Sequence, residues 1–183
     1  MSRWLELSMV PRNPAQAGSE NIEIDPKVDH KEKAVLSPSV FISYSHKDEE
    51  WKDRLHGQLG VLVEQKLIDT WDDRRIDVGD DWKPEIEQAL QRANAAVLMI
   101  SANFLTSKFI LGNEVPRLLK RRDEEGLSVI PVIVKPCAWQ TVPWLAKLQC
   151  LPIDGRVLSA GDDNQIEHDL ADLALEINRL LNP

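Results

Sequence analysis

Apolar and polar residues alternate along residues 39–183 at two different spacings, which predict different elements. Runs of consecutive apolar and β-branched residues between turn residues are typical of buried strands. These runs occupy 40–44, 67–71, 95–101 and 127–134 and, more weakly, 148–151. Between them, apolar residues recur every three or four positions, which predicts amphipathic helices. The helices are expected after Asp48 as N-cap, from Trp82, across 104–122 with interruptions at Gly112 and Pro116, and over 166–180.

The alternation of strands and helices predicts the fold class. Right-handed crossovers between successive strands give a parallel sheet with helices on both faces. We therefore predict an α/β fold, a flavodoxin-like doubly wound sheet of about five parallel strands. Pro131 lies within the fourth run, which indicates a strand end or an unpaired edge position. Ligands of such sheets bind beyond the carboxyl ends of the strands, where the loops 45–48, 72–81 and 101–114 are expected to gather.

Residues 1–38 differ in pattern from the rest of the chain. Four prolines punctuate a polar stretch with little periodicity, which predicts an N-terminal arm or linker. A short amphipathic anchor formed by Trp4, Leu5 and Leu7 is one interpretation, and a loose chain end is the simpler one. Residues 39–183 are predicted to form one domain.

Composition and charge narrow the function classes. The chain of 183 residues is 43% hydrophobic, 28% charged and carries a formal net charge of −8. Such acidity argues against binding driven by nucleic-acid phosphates, and no apolar run approaches the roughly 20 residues of a membrane span. The start of the chain does not resemble a secretory signal. Cys137 and Cys150 have no metal-ligand spacing, and the four histidines are scattered, so we expect a cytoplasmic protein without a metal site.

Three motifs stand at the ends of the predicted strands. Residues 40–45 read VFISYS and are followed by Lys47 and Asp48. The acidic segment 72–82 contains Gly79 and ends at Trp82, and residues 97–107 read VLMISANFLTS, with Glu114 seven residues further on. In this order, the motifs resemble those of the TIR (Toll/interleukin receptor) family over about 140 residues. The segment 72–82 resembles the BB loop of that family and the start of the helix that follows it.

The resemblance implies both a chemistry and its central residue. In enzymatic TIR domains, a glutamate of the third helix supports cleavage of the bond between nicotinamide and ribose in NAD+, and Glu114 is the matching position. Nicotinamide leaves NAD+ without prior protonation, so the main requirement is stabilisation of an oxocarbenium-like ribose by a carboxylate. A single glutamate can suffice, unlike the carboxylate pair of ordinary glycosidases. Without the surrounding motifs, Glu114 would be interpreted as a surface glutamate.

The same loops hold candidate substrate-binding residues, each with a simpler structural interpretation. Arginine pairs well with a pyrophosphate, but Arg74 and Arg75 can equally pair with acidic neighbours. Trp82 and Phe109 are either walls of the site or core residues, and Tyr44 and Ser45 either face the substrate or serve packing and a turn. The expected substrate-binding set is Tyr44, Ser45, Asp73, Arg74, Trp82, Ser107 and Phe109.

The leading functional hypothesis is an NAD+ glycohydrolase or cyclase, of the type that acts as a bacterial antiphage effector and is activated by self-assembly. NAD+ is then a substrate and no cofactor is expected, because no dinucleotide or phosphate-loop motif is present. A fused or separate sensor is an expected partner; nucleic acid and membrane are not. The alternative is a signalling module that acts through TIR–TIR contacts without catalysis. Hydrolysis of other N-glycosides, such as mononucleotides, is a third possibility.

Overall fold

A computed structural model of the chain describes residues 37–72 and 82–183, with only the backbone of Trp82 and Lys83. The arm predicted for residues 1–38 lies outside the described residues apart from Ser37 and Pro38. The predicted BB loop is described only at Asp72 and at the Trp82 backbone. In the described ranges, no helix is long and apolar enough to cross a membrane.

Four parallel strands form one sheet in the described part of the chain, in the order β2-β1-β3-β4. They are β1 (Ser39–Ser43), β2 (Asp69–Trp71), β3 (Ala93–Ile100) and β4 (Ser128–Ile133). Strand β3 pairs with β1 on one side and β4 on the other, and its residues from Ala95 onward are fully buried. The prediction of a strand covered on both faces is confirmed there.

The fifth predicted strand is reduced to one bridge between Leu151 and Val132. The N–H of Leu151 donates to the carbonyl of Pro131, and the N–H of Ile133 donates to the carbonyl of Leu151, each at 2.8 Å. Prolines at 143 and 152 flank this stretch and cannot donate to a ladder. The described residues therefore contain four strands where the pattern predicted about five.

Pro131 lies in the middle of β4, which is an edge strand. The carbonyl of Pro131 points away from β3, toward Leu151. Because the N and C=O of one strand residue face the same side in a parallel ladder, the missing N–H removes no bond to β3. The expected edge position of Pro131 is therefore confirmed.

Helices cover both faces of the sheet. One face, the α1/α5 core, is covered by α1 (Glu49–Glu64) and α5 (Asp163–Leu181). The other, the α2/α4 core, is covered by α2 (Trp82–Arg92) and α4 (Val115–Glu125). Between β3 and α4, the chain forms a short helix, α3 (Ala102–Leu105), and a π-helical turn (Ile110–Glu114). Successive residues of a strand face opposite cores, which determines which side chains can meet at the strand ends.

Helix α4 ends in a left-handed residue, Gly126, with φ of 77°. Its N–H donates to the carbonyl of Arg122, and the N–H of Leu127 donates to that of Arg121, at 3.2 and 3.4 Å. The bond from Gly126 is that of the αL motif, and the bond from Leu127 adds to it in closing the helix. Leu127 is thereby buried and the chain enters β4 directly.

Candidate active site

The carboxyl end of β1 holds a buried polar pair, Ser43 and Glu114. The Ser43 hydroxyl donates a hydrogen bond of 2.5 Å to Oε2 of Glu114. Only 7% of Glu114 and 2% of Ser43 is exposed. A buried carboxylate lies where coulombic interactions are stronger than in water. The pair thus provides an oriented carboxyl group at the sheet edge where ligands of such folds bind.

Glu114 owes its position to the π-helical turn that precedes α4. The N–H of Val115 donates to the carbonyl of Ile110, five residues back. Pro116 follows directly and has no N–H for a regular bond to the carbonyl of Gly112, so an ordinary helical turn cannot continue through this point. The widened turn places Glu114 over the end of β1 while Val115 packs into the α2/α4 core. π-Helical turns are frequent at functional sites.

Ser43 and Tyr44 lie on opposite faces of the sheet. Phe41 belongs to the α2/α4 core, whereas Ile42 and Tyr44 belong to the α1/α5 core. By the alternation of a strand, Ser43 shares the face of Phe41 and meets Glu114 there. The Tyr44 ring instead lies 5.6 Å from the ring of His46 and 5.6 Å from Nζ of Lys52. The structure therefore brings Ser43 into contact with Glu114, and the assignment of Tyr44 to substrate binding stays a prediction.

The other predicted binding residues are distributed along the segment before Glu114 and the loop after β1. Ser107 and Phe109 are half-buried; the Ser107 hydroxyl accepts a bond of 3.3 Å from the N–H of Ile110, and Phe109 packs against the α2/α4 core. Ser45 is half-buried and its carbonyl accepts from the N–H of Asp48 at 2.7 Å. Asp73, Arg74 and the Trp82 side chain lie outside the described residues, so their assignment stays a prediction.

A second buried carboxylate, Asp48, joins three strand ends. It is fully buried and accepts hydrogen bonds from Ser101 Oγ at 2.5 Å, Lys135 Nζ at 2.9 Å and Asn103 Nδ2 at 3.0 Å. We call these four residues the Asp48 cluster. They follow β1, β3 and β4, so the cluster fixes the loop after β1 against the rest of the sheet edge. The pKa of Asp48 would be raised by its burial, but the bonds from Ser101, Lys135 and Asn103 outweigh burial and lower it.

Asp48 occupies the predicted N-cap position of α1, but its side chain makes no capping bond. Asp48 therefore has the expected position before α1 but not the expected capping bond, because its carboxylate is directed to the Asp48 cluster. Ser101 acts as the cap of α3 instead, with its hydroxyl accepting from the N–H of Phe104 at 3.0 Å.

Sequence reasoning missed Ser43 and Lys135 as site residues. For Ser43, strand alternation beside Phe41 was an available signal; for Lys135, none was.

Two features together define the class of protein: a parallel α/β sheet with helices on both faces, and a buried serine–glutamate pair at its carboxyl edge. A sequence profile described as TIR domain matches residues 40–170, a range that contains Ser43, the Asp48 cluster and Glu114. The chain belongs to the TIR domain family, as its motifs suggested.

The chain is also similar to individual proteins. The chain is 37% identical over 126 residues to the uncharacterised protein y4lF of Sinorhizobium fredii, a match covering 69% of this chain and 39% of that protein. The chain thus spans about two fifths of that relative's length. Among solved structures, it is similar to the TIR domain of the Toll-related receptor TRR-2 of Hydra magnipapillata (17% identity, 76% of this chain, 97% of the other, TM-score 0.49). It is also similar to the TIR domains of the activated Roq1 resistosome recognising the effector XopQ (22% identity, 76% and 84% coverage, TM-score 0.47).

Proposed function

We propose that this protein is an NAD+ glycohydrolase that cleaves the bond between nicotinamide and ribose, with Glu114 as its catalytic residue. The observation that carries the proposal is the burial of the Glu114 carboxylate at the carboxyl edge of the sheet, oriented by the Ser43 hydroxyl. Membership of the TIR family supports it, because the position of Glu114 in the motif order is that of the family's NAD+-cleaving glutamate.

The proposed step needs a fixed negative group and little else. As the C–N bond breaks, the bonding electrons leave with neutral nicotinamide and positive charge develops on the ribose ring. A carboxylate beside that ring stabilises the charge more strongly when water is excluded. Ser43 holds one oxygen of Glu114 in place, so the carboxylate needs less reorganisation during the reaction. Attack of water then gives ADP-ribose, and attack by a group of the same molecule gives a cyclic isomer.

The test is nicotinamide release from NAD+ by purified full-length protein, analysed by chromatography with identification of the second product. We expect Glu114→Gln, which keeps the size but removes the charge, to lower kcat by roughly 100- to 1,000-fold. The matched control is Glu124→Gln in α4, the helix that follows Glu114, since Glu124 is 60% exposed and pairs only loosely with Lys120 at 3.8 Å. Wild-type protein that releases no nicotinamide at any concentration, or equal activity of Glu114→Gln, contradicts the proposal.

Ser43→Ala tests the orienting hydrogen bond separately from the carboxylate. A hydrogen bond to a charged group contributes about 1.5–3 kcal/mol, so its loss is expected to lower kcat by about 10- to 100-fold. The KM for NAD+ should change less, because the bond orients the carboxylate and does not contact the substrate directly. A circular dichroism melt that matches wild type excludes unfolding as the cause. Unchanged kcat in Ser43→Ala would remove Ser43 from the mechanism.

We further propose that activity depends on self-association, as expected for a TIR domain, and that the protein is a cytoplasmic immune effector in bacteria. The similarity to a relative from a bacterium supports the bacterial setting. Activity per molecule that rises with protein concentration, in step with assembly seen by light scattering, is the expected result. Strict proportionality between rate and concentration would argue against required assembly. The non-catalytic alternative predicts assembly that persists unchanged in Glu114→Gln, with no nicotinamide released by either protein.

A further inference from the structure

Two buried contacts join the loop after β1 to the segment 101–114. The Ser43 hydroxyl donates to Glu114 at 2.5 Å, and the Ser101 hydroxyl donates to a second carboxylate, Asp48, also at 2.5 Å. All four residues are buried. Ser43 and Asp48 flank the loop, whereas the segment begins and ends at the other two residues. The contacts therefore close a ring, in which a shift at one contact displaces the other through the chain between them.

The loop side of this ring is short. Residues 46–48 form a 3-10 turn, in which the N–H of Asp48 donates to the carbonyl of Ser45 at 2.7 Å. Helix α1 begins at the next residue, Glu49, so Asp48 is held between β1 and α1. A turn of this length leaves little freedom between the two flanking residues, and a displacement of the Asp48 carboxylate is transmitted to Ser43.

The direction of the Ser101 hydroxyl depends on the charge of Asp48. An ionised carboxylate only accepts hydrogen bonds, so Ser101 donates its single proton to Asp48 and keeps a lone pair for the N–H of Phe104, which it accepts at 3.0 Å. Asn103 donates to the other oxygen of Asp48 at 3.0 Å. Asp48 therefore fixes the start of α3 through two side chains.

Hydrogen bonds then connect α3 to the turn that carries Glu114. The carbonyl of Phe104 accepts from the N–H of Ser107 at 3.1 Å. The carbonyl of Ser107 accepts in turn from the N–H of Leu111 at 3.1 Å, and Leu111 lies in the π-helical turn that ends at Glu114. Bonds in such a chain polarise and orient one another, so the orientation imposed at Ser101 reaches the turn that presents the carboxylate.

Lys135 balances the charge of Asp48. Its Nζ lies 2.9 Å from Oδ1 of Asp48 and 3.2 Å from Oε1 of Glu50. Lys135 follows β4, so the ion pair ties a third strand end to the loop after β1. A buried carboxylate that loses its cation is strongly destabilised, and Asp48 is fully buried. The placement of the Asp48 carboxylate therefore depends on Lys135.

From these contacts we infer that the Asp48–Lys135 ion pair positions Glu114, because it fixes the start of the segment whose end carries the catalytic carboxylate. The inference rests on the proposed function, since its effect on the reaction is exerted through Glu114. Asp48 and Lys135 act as positioning residues, and neither is assigned a contact with NAD+. Loss of the pair is therefore expected to lower kcat and to leave the KM for NAD+ nearly unchanged.

Lys135→Met tests the inference in the full-length protein, because it keeps an apolar stem and removes the cation. A small displacement of a reacting group can lower a rate by up to about 100-fold, so we expect kcat for nicotinamide release to fall by about 10- to 100-fold. Lys135→Arg can still pair with the carboxylate and should retain at least about half of the wild-type kcat. The matched control is Lys120→Met, at a side chain of α4 that is 70% exposed, and it should match wild type.

A second variant and a second measurement separate positioning from stability. Asn103→Ala removes one bond between the segment and Asp48 but leaves the ion pair in place, and we expect it to lower kcat by about 3- to 10-fold. Hydrogen exchange does not require NAD+ cleavage. In Lys135→Met it should become faster at the amides of 104–111, which carry the chain of hydrogen bonds, and stay unchanged in α5.

Four outcomes overturn the inference. They are an unchanged kcat in Lys135→Met, an equal loss of kcat in Lys120→Met or Lys135→Arg, a rise in KM without a fall in kcat, and unchanged hydrogen exchange at 104–111. Wild-type protein that releases no nicotinamide overturns the proposed function instead. Hydrogen exchange in Lys135→Met then decides alone whether the ion pair fixes this segment.

Discussion

Asp48 provides a quantitative test of how the loop after β1 is held. We expect Asp48→Asn to lower the free energy of unfolding by about 2–4 kcal/mol at neutral pH. The substitution preserves shape but removes the charged acceptor of Ser101 and Lys135, and it places an amide donor among three existing donors. Removing one partner of a fully buried ion pair costs about 3–5 kcal/mol. The expected loss is smaller because the Lys135 side chain is 33% exposed and keeps Glu50 at 3.2 Å.

The sign of the pH dependence follows from the Asp48 pKa. Burial acts to raise it, but hydrogen bonds from Ser101, Lys135 and Asn103 lower it below the ordinary value of 3.8. A carboxylate with a lowered folded-state pKa stabilises the protein above the unfolded-state value and loses this contribution as pH falls through the folded-state value. The stability difference between wild type and Asp48→Asn should therefore be largest at neutral pH and shrink below pH 3.8.

Urea denaturation followed by tryptophan fluorescence, repeated from neutral pH downward, measures both quantities. The matched control is Asp123→Asn, since Asp123 also pairs with a basic side chain, that of Arg122 at 3.3 Å, but both partners are exposed, by 71% and 41%. An exposed pair contributes about 0–1 kcal/mol, so little change is expected. Equal losses in the two variants, or an Asp48→Asn loss that stays constant down to acid pH, would refute this account of the cluster.

Two further stability predictions concern the core and a helix end. Leu98 is fully buried in β3, and Leu98→Ala should lower the free energy of unfolding by about 2–5 kcal/mol in urea denaturation. The control Leu175→Ala, at a position 63% exposed, should lower it by less than about 0.5 kcal/mol. Similar losses in the two variants would mean that the α2/α4 core is not tightly packed. Gly126→Ala should lower the free energy of unfolding by about 1 kcal/mol. The loss comes from the φ of 77° alone, because no atom lies within 4 Å of an added Cβ. A melting temperature equal to that of wild type would show that the left-handed end of α4 is not required.

The regular elements followed directly from residue spacing, because burial on one or two faces produces the spacing. The all-apolar run 95–100 is a central strand, and the three- and four-residue spacing of Ile166 to Ile177 is the buried stripe of α5. The stretch 148–151 shows the limit of this reasoning. Its composition suits a strand, but the prolines at 143 and 152 limit pairing to a single bridge.

The candidate site was predicted less completely, because its contacts join residues far apart in the chain. Family resemblance led to Glu114 but not to its partner Ser43, 71 residues away. Tyr44 was chosen because it ends the first strand, and the same strand directs its neighbour Ser43 to the Glu114 face by alternation. Lys135 meets Asp48 across 87 residues, and no local pattern indicates such a pair.

The π-helical turn determines how an insertion or deletion in this segment would act. It separates two segments that are anchored independently, one through Phe104 and one through Leu118, both fully buried. A residue gained or lost between them corresponds to about 100° of helical phase, and the turn can absorb this difference without any change in either anchor. A single residue inserted or deleted in this segment is therefore expected to change which side chain faces Ser43 while both buried anchors stay in place.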